Sequence, residues 1–469
     1  MDAPMTGNSS ARREGPGFPD EPPARLRELF DEVFGARPAA SDARAACDGV
    51  VDDGAGCPAS DVPRGFVVAS APGRVEVAGN HVDHQGGRVI SAAIGERTWG
   101  LAAENGLGRI RAVMEGFGTD EVDLSDPSWA APRPVEALTP GAMVRGMAAL
   151  FEARGGTVRG FDIVTCSDVP PGCGLSSSAA FEVMLGAALE GLFGPGPFAA
   201  SAADAPAPDV PVGSAAAGEV PLDAAAVALV AVECEQRYFG KPCGAQDQLA
   251  SACGGVVTID FAPKVPVVEP VSLDAAAEGY RIVLVDSRQD HSLHQDEFAA
   301  IPADMRMVAN LLGVSRLGDA PVDTLLAQLQ RVRTELGDRR AMRALHYYDE
   351  VARVNAQRAA LAAGDFGLFL REVRLSGASS AQFLQNVSLR DAGSETRQPA
   401  MVIQSLAAHL LGERGAWRIH GGGFGGSVLV FVPSVETAGF MEAMDGLLGY
   451  AACREVNLGA PGVRARHLS

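Results

Sequence analysis

The 469-residue sequence has few basic residues for its length, and this scarcity limits what it can bind. It contains 39 lysine and arginine residues against 58 aspartate and glutamate residues, which gives a formal net charge of −19. A protein that binds the phosphate backbone of nucleic acids needs a basic face, so we expect no nucleic-acid partner. A small anionic ligand is compatible with this balance, because backbone amides and one or two arginines can hold it locally.

Signals for export and for membrane insertion are also lacking. The N-terminus, MDAPMTGNSSARREG, has no apolar signal core, and no stretch reaches the roughly 18 uninterrupted apolar residues of a membrane span. None of the eight cysteines forms a C-x-x-C pair, which favours reduced structural thiols. We therefore expect a cytoplasmic protein without a membrane partner, and we expect it to be a monomer.

The composition, 47% hydrophobic and 21% charged, is typical of a folded protein. Residues 1–23 are rich in Pro, Gly, Ser and charge and predict a disordered tail. Mixed helical and strand patterns with a break after residue 262 predict two α+β domains, 24–262 and 263–469. Irregular or Pro/Ala/Gly-rich stretches near 36–63 and 194–221 are typical of insertions.

A glycine-rich and serine-rich segment, DVPPGCGLSSSAAFEVMLGAAL, occupies residues 168–189. Gly172 and Gly174 let the backbone approach a ligand, and the serines open an apolar helix. A helix N-terminus offers unpaired N–H groups and partial positive charge, which suit a phosphate chain. An ordinary loop before a serine-capped helix is the alternative. The segment is neither a Walker A loop nor a lipase nucleophile elbow, since both patterns are missing.

A second glycine cluster, HGGGFGGSVLVFV, begins at His420. Gly421, Gly423 and Gly426 match G-x-G-x-x-G, but a dinucleotide site requires a helix after the glycines. The residues that follow read as a strand. The cluster therefore predicts a tight connection that lies close to a neighbouring loop or ligand.

A third stretch, APGRVEVAGNHVDHQGG, covers residues 71–87 and places His81, Asp83 and His84 close together. Zinc and iron accept such side chains, so a metal hydrolase is one interpretation. No H-E-x-x-H frame is present, however, and a hydrolase leaves the two glycine segments unexplained.

Taken in order, these three stretches resemble the GHMP small-molecule kinases and, within them, the galactokinases. FGKPCGAQDQLASACGG and RALHYYDEVARVNAQRAALAAGDFGLF add to the likeness, which covers roughly residues 24–432 with gaps. The resemblance implies an α+β, two-domain GHMP kinase fold with a mixed sheet in each domain and the active site in the cleft between them. It also implies ATP- and Mg²⁺-dependent phosphorylation of the anomeric hydroxyl of a monosaccharide, with galactose as the expected substrate.

The resemblance further implies roles for individual residues. Asp247 would be the catalytic base, and Arg74 would neutralise developing charge and keep that aspartate ionised. Ser178 and Glu235 would hold the metal. The nucleotide would be bound by Pro171, Gly172, Gly174, Leu175, Ser176, Ser177 and Ser178. The sugar would be bound by Asn80, His81, Asp83, Gly244 and Phe298.

The sugar side departs from the family pattern. Asn80 stands where these enzymes usually have glutamate, and Phe298 stands where they have a sugar-contacting tyrosine. Losing a hydrogen bond to a substrate hydroxyl can change discrimination between sugars by one to several kcal/mol. Two alternatives therefore stay open: a kinase for a related uronic acid, amino sugar or pentose, and a non-catalytic sugar sensor on the same fold.

Overall fold

The computed structural model describes residues 21–35, 65–198, 218–241, 243–289, 294–389 and 396–468. The predicted insertion at 36–63 lies outside these residues, as do nearly all of the predicted tail and most of the segment 194–221. Within the described ranges, no helix is both long enough and apolar enough to span a membrane.

The first sheet has eight strands in the order β12-β1-β2-β5-β3-β4, with β6 pairing β2 and β7. β3 and β5 are parallel, and the other pairs are antiparallel. The strands are β1 Val67–Ala78, β2 Arg88–Glu104, β3 Arg109–Met114, β4 Gly118–Asp123, β5 Phe161–Ser167, β6 Val256–Asp260, β7 Val267–Pro270 and β12 Arg464–His467.

Strand β1 contains a Pro-Gly pair, Pro72 and Gly73. It is one continuous strand whose register with β2 shifts between Pro72 and Arg74. Such an irregularity accommodates the Pro-Gly pair without ending the strand, and it changes the direction of the next side chain, that of Arg74. A Cβ at Gly73 would lie 3.0 Å from the carbonyl oxygen of Leu175, so glycine allows this strand to touch the segment after β5.

The second sheet is antiparallel, in the order β11-β8-β10-β9. Its strands are β8 Tyr280–Asp286, β9 Ala416–Ile419, β10 Ser427–Pro433 and β11 Cys453–Val456. β10 is the strand that the sequence predicts after the glycine cluster, and β8 beside it is a similar apolar run. β10 directly follows the glycine cluster, where a dinucleotide site would require a helix.

Eleven α-helices complete the described part of the chain. They are α1 Ala24–Phe34, α2 Pro140–Ala153, α3 Ser177–Phe193, α4 Ala224–Cys234, α5 Gln246–Cys253, α6 Gln295–Leu311, α7 Val322–Leu336, α8 Asp338–Ala363, α9 Phe366–Ser379, α10 Pro399–Leu411 and α11 Thr437–Leu448. Helix α3 is apolar on nearly all sides and buried against β1 and β2, which fixes the position of its N-terminus.

The predicted boundary at residue 262 does not separate the two sheets completely. β7 follows that residue but pairs with β6, and the C-terminal strand β12 returns to cover the edge of β1. An uncovered edge strand is open to intermolecular pairing, so this return has a physical reason that no local sequence pattern reveals.

Candidate active site

A partly buried ion pair joins β1 to the start of α5. Arg74 Nε lies 2.8 Å from Asp247 Oδ1, and Arg74 Nη2 lies 2.6 Å from Asp247 Oδ2. The third Arg74 nitrogen donates to the Gly174 carbonyl oxygen at 2.6 Å. The irregularity in β1 and the first turn of α5 therefore bring together the two residues with predicted catalytic roles.

The environment of Asp247 favours its ionised form. Burial alone would raise its pKa, but the Arg74 guanidinium and the Ser176 hydroxyl outweigh that effect and hold the pKa below its usual value. Ser176 Oγ donates to Asp247 Oδ2 at 2.5 Å. The Asp247 side chain is nevertheless 36% exposed, so a substrate can reach the carboxylate.

The predicted nucleotide-binding segment, Pro171 to Ser178, forms a loop that ends in the first turn of α3. Gly172 and Gly174 have positive φ angles of 75° and 78°, and Ser176 adopts the left-handed conformation at φ 58°. Non-glycine residues hold this conformation at a cost and cluster at functional sites. The loop thus presents the N-terminal N–H groups of α3 next to Asp247.

The C-terminal glycine cluster packs directly on this loop. Ser427 Oγ donates to the Cys173 carbonyl oxygen at 3.1 Å, and a Cβ at Gly426 would lie 3.6 Å from that oxygen. A Cβ at Gly421 would lie 3.8 Å from Arg74 Nη2. The prediction that these glycines lie close to a neighbouring loop is confirmed.

Ser178 and Glu235 lie together under the N-terminus of α3. Ser178 Oγ donates to Glu235 Oε1 at 3.3 Å, and Glu235 is 2% exposed. Hydroxyl and carboxylate oxygens are the ligands that Mg²⁺ prefers, so the donor set fits that metal. Within the described residues, no group of three or more His, Cys, Asp and Glu side chains is arranged to hold a metal ion.

Four of the residues predicted to bind the sugar, Asp83 among them, lie close together. A Cβ at Gly244 would lie 2.2 Å from Asp83 Oδ2, and the His81 and Phe298 rings are 5.4 Å apart. His81 Nε2 lies 2.9 Å from the Gly422 carbonyl oxygen, so this nitrogen carries the proton and donates. Burial, which raises the pKa of Asp83, also lowers the pKa of His81 to about 3.

Asn80, the fifth residue predicted to bind the sugar, is fully buried, and all donors and acceptors of its side-chain amide bind protein groups. Its Nδ2 donates to Glu76 Oε1 at 3.0 Å and to the Gly421 carbonyl oxygen at 2.7 Å. Its Oδ1 accepts from Ser380 Oγ at 3.1 Å and from Asn386 Nδ2 at 2.7 Å. A direct sugar contact would require one of these four hydrogen bonds to break, because an amide has no further capacity.

Three residues that the sequence does not single out are part of this site. Gln248 Nε2 donates to Glu235 Oε2 at 2.6 Å, and Lys241 Nζ lies 3.2 Å from Glu235 Oε1. Arg418 of β9 forms a fully buried ion pair with Glu76. Lys241 and Gln248 lie within the stretch FGKPCGAQDQLASACGG, in which the family resemblance assigns a role to Asp247 but not to these two residues, and no motif marks Arg418.

Comparison with known proteins decides the family. Two family descriptions match the chain: the GHMP kinases N terminal domain over residues 142–255, and the galactokinase galactose-binding signature over residues 60–104. A galactokinase of Streptomyces coelicolor is 31% identical over 416 residues, which cover 86% of this chain and 94% of that protein. The chain belongs to the galactokinase family.

Solved structures agree with the galactokinase family at the level of the fold. Lactococcus lactis galactokinase, crystallised with galactose, superposes with a TM-score of 0.71 at 21% identity, covering 95% of this chain and 99% of that chain. A D-glycero-D-manno-heptose 1-phosphate kinase from Bacteriodes thetaiotaomicron gives 0.55 at 16% identity, covering 86% and 99%. The predicted α+β GHMP kinase fold is confirmed.

The buried His81 predicts a pH-dependent stability. In the unfolded chain His81 takes up a proton near pH 6.5, whereas in the folded protein it stays neutral down to its pKa of about 3. Protons therefore favour the unfolded chain, and the free energy of unfolding falls as the pH drops from 7 to 5. We expect His81→Gln to remove about 2 kcal/mol of that loss. Urea unfolding at both pH values measures it, with exposed His409→Gln as the control. An unchanged pH dependence in His81→Gln would contradict a neutral, buried His81.

Proposed function

We propose that this protein is an ATP-dependent sugar 1-kinase that transfers the γ-phosphoryl group of ATP to the anomeric hydroxyl of galactose. The observation that carries this proposal is the Arg74–Asp247 pair, which lies against the glycine loop at the N-terminus of α3. A reachable carboxylate, an adjacent guanidinium and a phosphate-binding loop are the parts that phosphoryl transfer to a hydroxyl requires.

Asp247 and Arg74 would act on the attacking hydroxyl. Phosphoryl transfer depends more on positioning and charge neutralisation than on covalent help from the protein. Asp247 accepts a hydrogen bond from the hydroxyl and orients it. Because the Arg74 guanidinium keeps the pKa of Asp247 low, the carboxylate takes the proton late, as the sugar oxygen bonds to phosphorus.

The nucleotide would lie on the loop from Pro171 to Ser178. Its N–H groups and the N-terminus of α3 hold the phosphate oxygens, and the two positive-φ glycines let the backbone approach them. Ser178 and Glu235 would hold a magnesium ion, which neutralises phosphate charge when bound.

The identity of the sugar depends on the group around Asp83. His81 and Asp83 face Gly244 and Phe298 there, and Phe298 offers no hydroxyl for a hydrogen bond. For this reason the chief test is a panel of monosaccharides with ATP, including galactose, a uronic acid, an amino sugar and a pentose.

The measured quantities are sugar-dependent ADP release and the ³¹P signal of the product. We expect galactose to give the highest kcat/KM and an anomeric phosphate. A preference for another sugar would refute galactose as the substrate but would leave the sugar kinase activity standing. No sugar-dependent ADP release from any sugar, together with sugar binding, would favour the non-catalytic sensor.

A Gly244→Ala substitution tests the sugar side by itself. The new Cβ would lie 2.2 Å from Asp83 Oδ2, so the carboxylate must move. We expect KM for the sugar to rise about 10-fold or more, since hydrogen bonds to charged groups contribute about 1.5–3 kcal/mol. KM for ATP should stay unchanged. Gly439→Ala, where nothing lies within 4 Å of the new Cβ, is the matched control. An unaltered sugar KM would place the sugar away from Asp83.

A further inference from the structure

Lysine is almost absent from this chain, yet one lysine lies inside the candidate site. Lys241 and Lys264 are the two lysines in a sequence with 39 lysine and arginine residues. Lys264 is exposed in the loop between β6 and β7. Lys241 precedes Asp247 by six positions and faces Glu235. Arginine supplies nearly every other cation of the protein, so the position of Lys241 calls for a chemical reason.

Local backbone geometry directs Lys241 back over Glu235. A π-helical turn, Glu235–Phe239, extends α4 and ends at Gly240, which has a positive φ of 84°. The Lys241 N–H then donates to the Glu235 carbonyl oxygen at 3.1 Å. This reversal brings the Lys241 ammonium to 3.2 Å from Glu235 Oε1, the same oxygen that accepts from Ser178 Oγ at 3.3 Å.

The Lys241 ammonium keeps N–H donors that its contact with Glu235 does not use. An ammonium has three N–H donors, and among the described residues Glu235 is its side-chain partner. The Lys241 side chain is 34% exposed, so a ligand can reach it.

These features place a cation between three groups of the proposed reaction: the carboxylate of Glu235, the base Asp247 and the first turn of α3. We propose that Lys241 is a further catalytic residue whose ammonium contacts the γ-phosphoryl group of ATP. This inference rests on the proposed function. Lysine suits the transfer step because a compact ammonium can rotate its donors as the phosphoryl group moves, whereas a planar guanidinium fixes them in a fork. For binding without transfer, the positive charge of either side chain can serve.

Nucleotide binding without turnover gives the test. Lys241→Gln, Lys241→Arg and the exposed control Lys264→Gln are titrated by calorimetry with ADP and with a non-hydrolysable ATP analogue, both in EDTA. A contact with the γ-phosphoryl group predicts that Lys241→Gln weakens the analogue by about 10- to 100-fold and ADP by less than about 2-fold. Lys241→Arg should restore most of the preference for the analogue, and Lys264→Gln should match the wild type.

If Lys241→Gln weakens the affinity for both nucleotides equally, or changes neither affinity, the contact with the γ-phosphoryl group is refuted. A lysine that only balances the charge of Glu235 cannot distinguish ATP from ADP. The contact is also refuted if Lys241→Arg binds the analogue no better than Lys241→Gln. Sugar-dependent ADP release by the wild type tests the proposed function separately. If the wild type turns over sugar but the Lys241 variants do not distinguish the ATP analogue from ADP, only this inference is refuted. If the Lys241 variants do distinguish them but the wild type shows no turnover, only the proposed function is refuted.

Discussion

Replacing Asp247 with asparagine is expected to lower kcat by about 10²- to 10⁴-fold, the range that a positioned general base contributes. The amide keeps the size of the side chain but cannot accept the proton of the sugar hydroxyl. Asp247 is ionised in the folded protein, because Arg74 and Ser176 hold its pKa below the usual value. Steady-state ADP release with saturating sugar and ATP measures the loss.

Nucleotide affinity separates this effect from a collapsed site. The phosphate loop keeps its glycines and the N-terminus of α3 in Asp247→Asn, so the Kd for ATP should stay within about 3-fold of the wild type. Asp338→Asn, at an exposed ion pair with Arg333, is the matched control and should leave kcat unchanged. Turnover retained in Asp247→Asn would remove the base role. A parallel loss of ATP binding would assign Asp247 a structural role instead.

The sequence alone predicts the parts of this protein that depend on local chemistry. The apolar runs of β8 and β10 and the helix after the glycine–serine loop are readable because periodicity and flanking glycines are local signals. The pairing of Arg74 with Asp247, 173 residues apart, comes from family resemblance and not from spacing. The return of β12 to β1 has no local signal, so a domain boundary drawn on composition misses it.

Asn80 illustrates why contacts at the site are harder to predict than the site itself. From the sequence it is a short, neutral substitute for a sugar-binding glutamate. In the folded chain its amide joins Glu76 on β1 to Gly421, Ser380 and Asn386. This points to a positioning role, in which Asn80 fixes the glycine cluster against β1. Four partners from three separate segments can be recognised only once the chain is folded.

The strongest expected effect on stability comes from the ion pair behind Asn80. Arg418 on β9 and Glu76 on β1 link the two sheets, and their side chains are 0% and 4% exposed. Glu76 also accepts from Asn80 Nδ2 and, at 3.2 Å, from Nε2 of Gln246, the residue before Asp247. Removing one partner leaves the other charge buried, so we expect Arg418→Met to cost about 3–5 kcal/mol of unfolding free energy.

A double-mutant cycle tests whether that cost comes from the unpaired carboxylate. Burial raises the pKa of Glu76 even with Arg418 present, so an apolar pair should be tolerated better than a lone carboxylate. We expect Glu76→Leu with Arg418→Met to recover most of the loss in denaturant unfolding followed by fluorescence, which Trp417 beside Arg418 can report. Additive losses in the double variant would mean that the two side chains stabilise the protein independently. Recovered stability with reduced kcat would instead show that Glu76 positions Gln246 and Asn80 for the reaction, which a well-packed apolar pair cannot do.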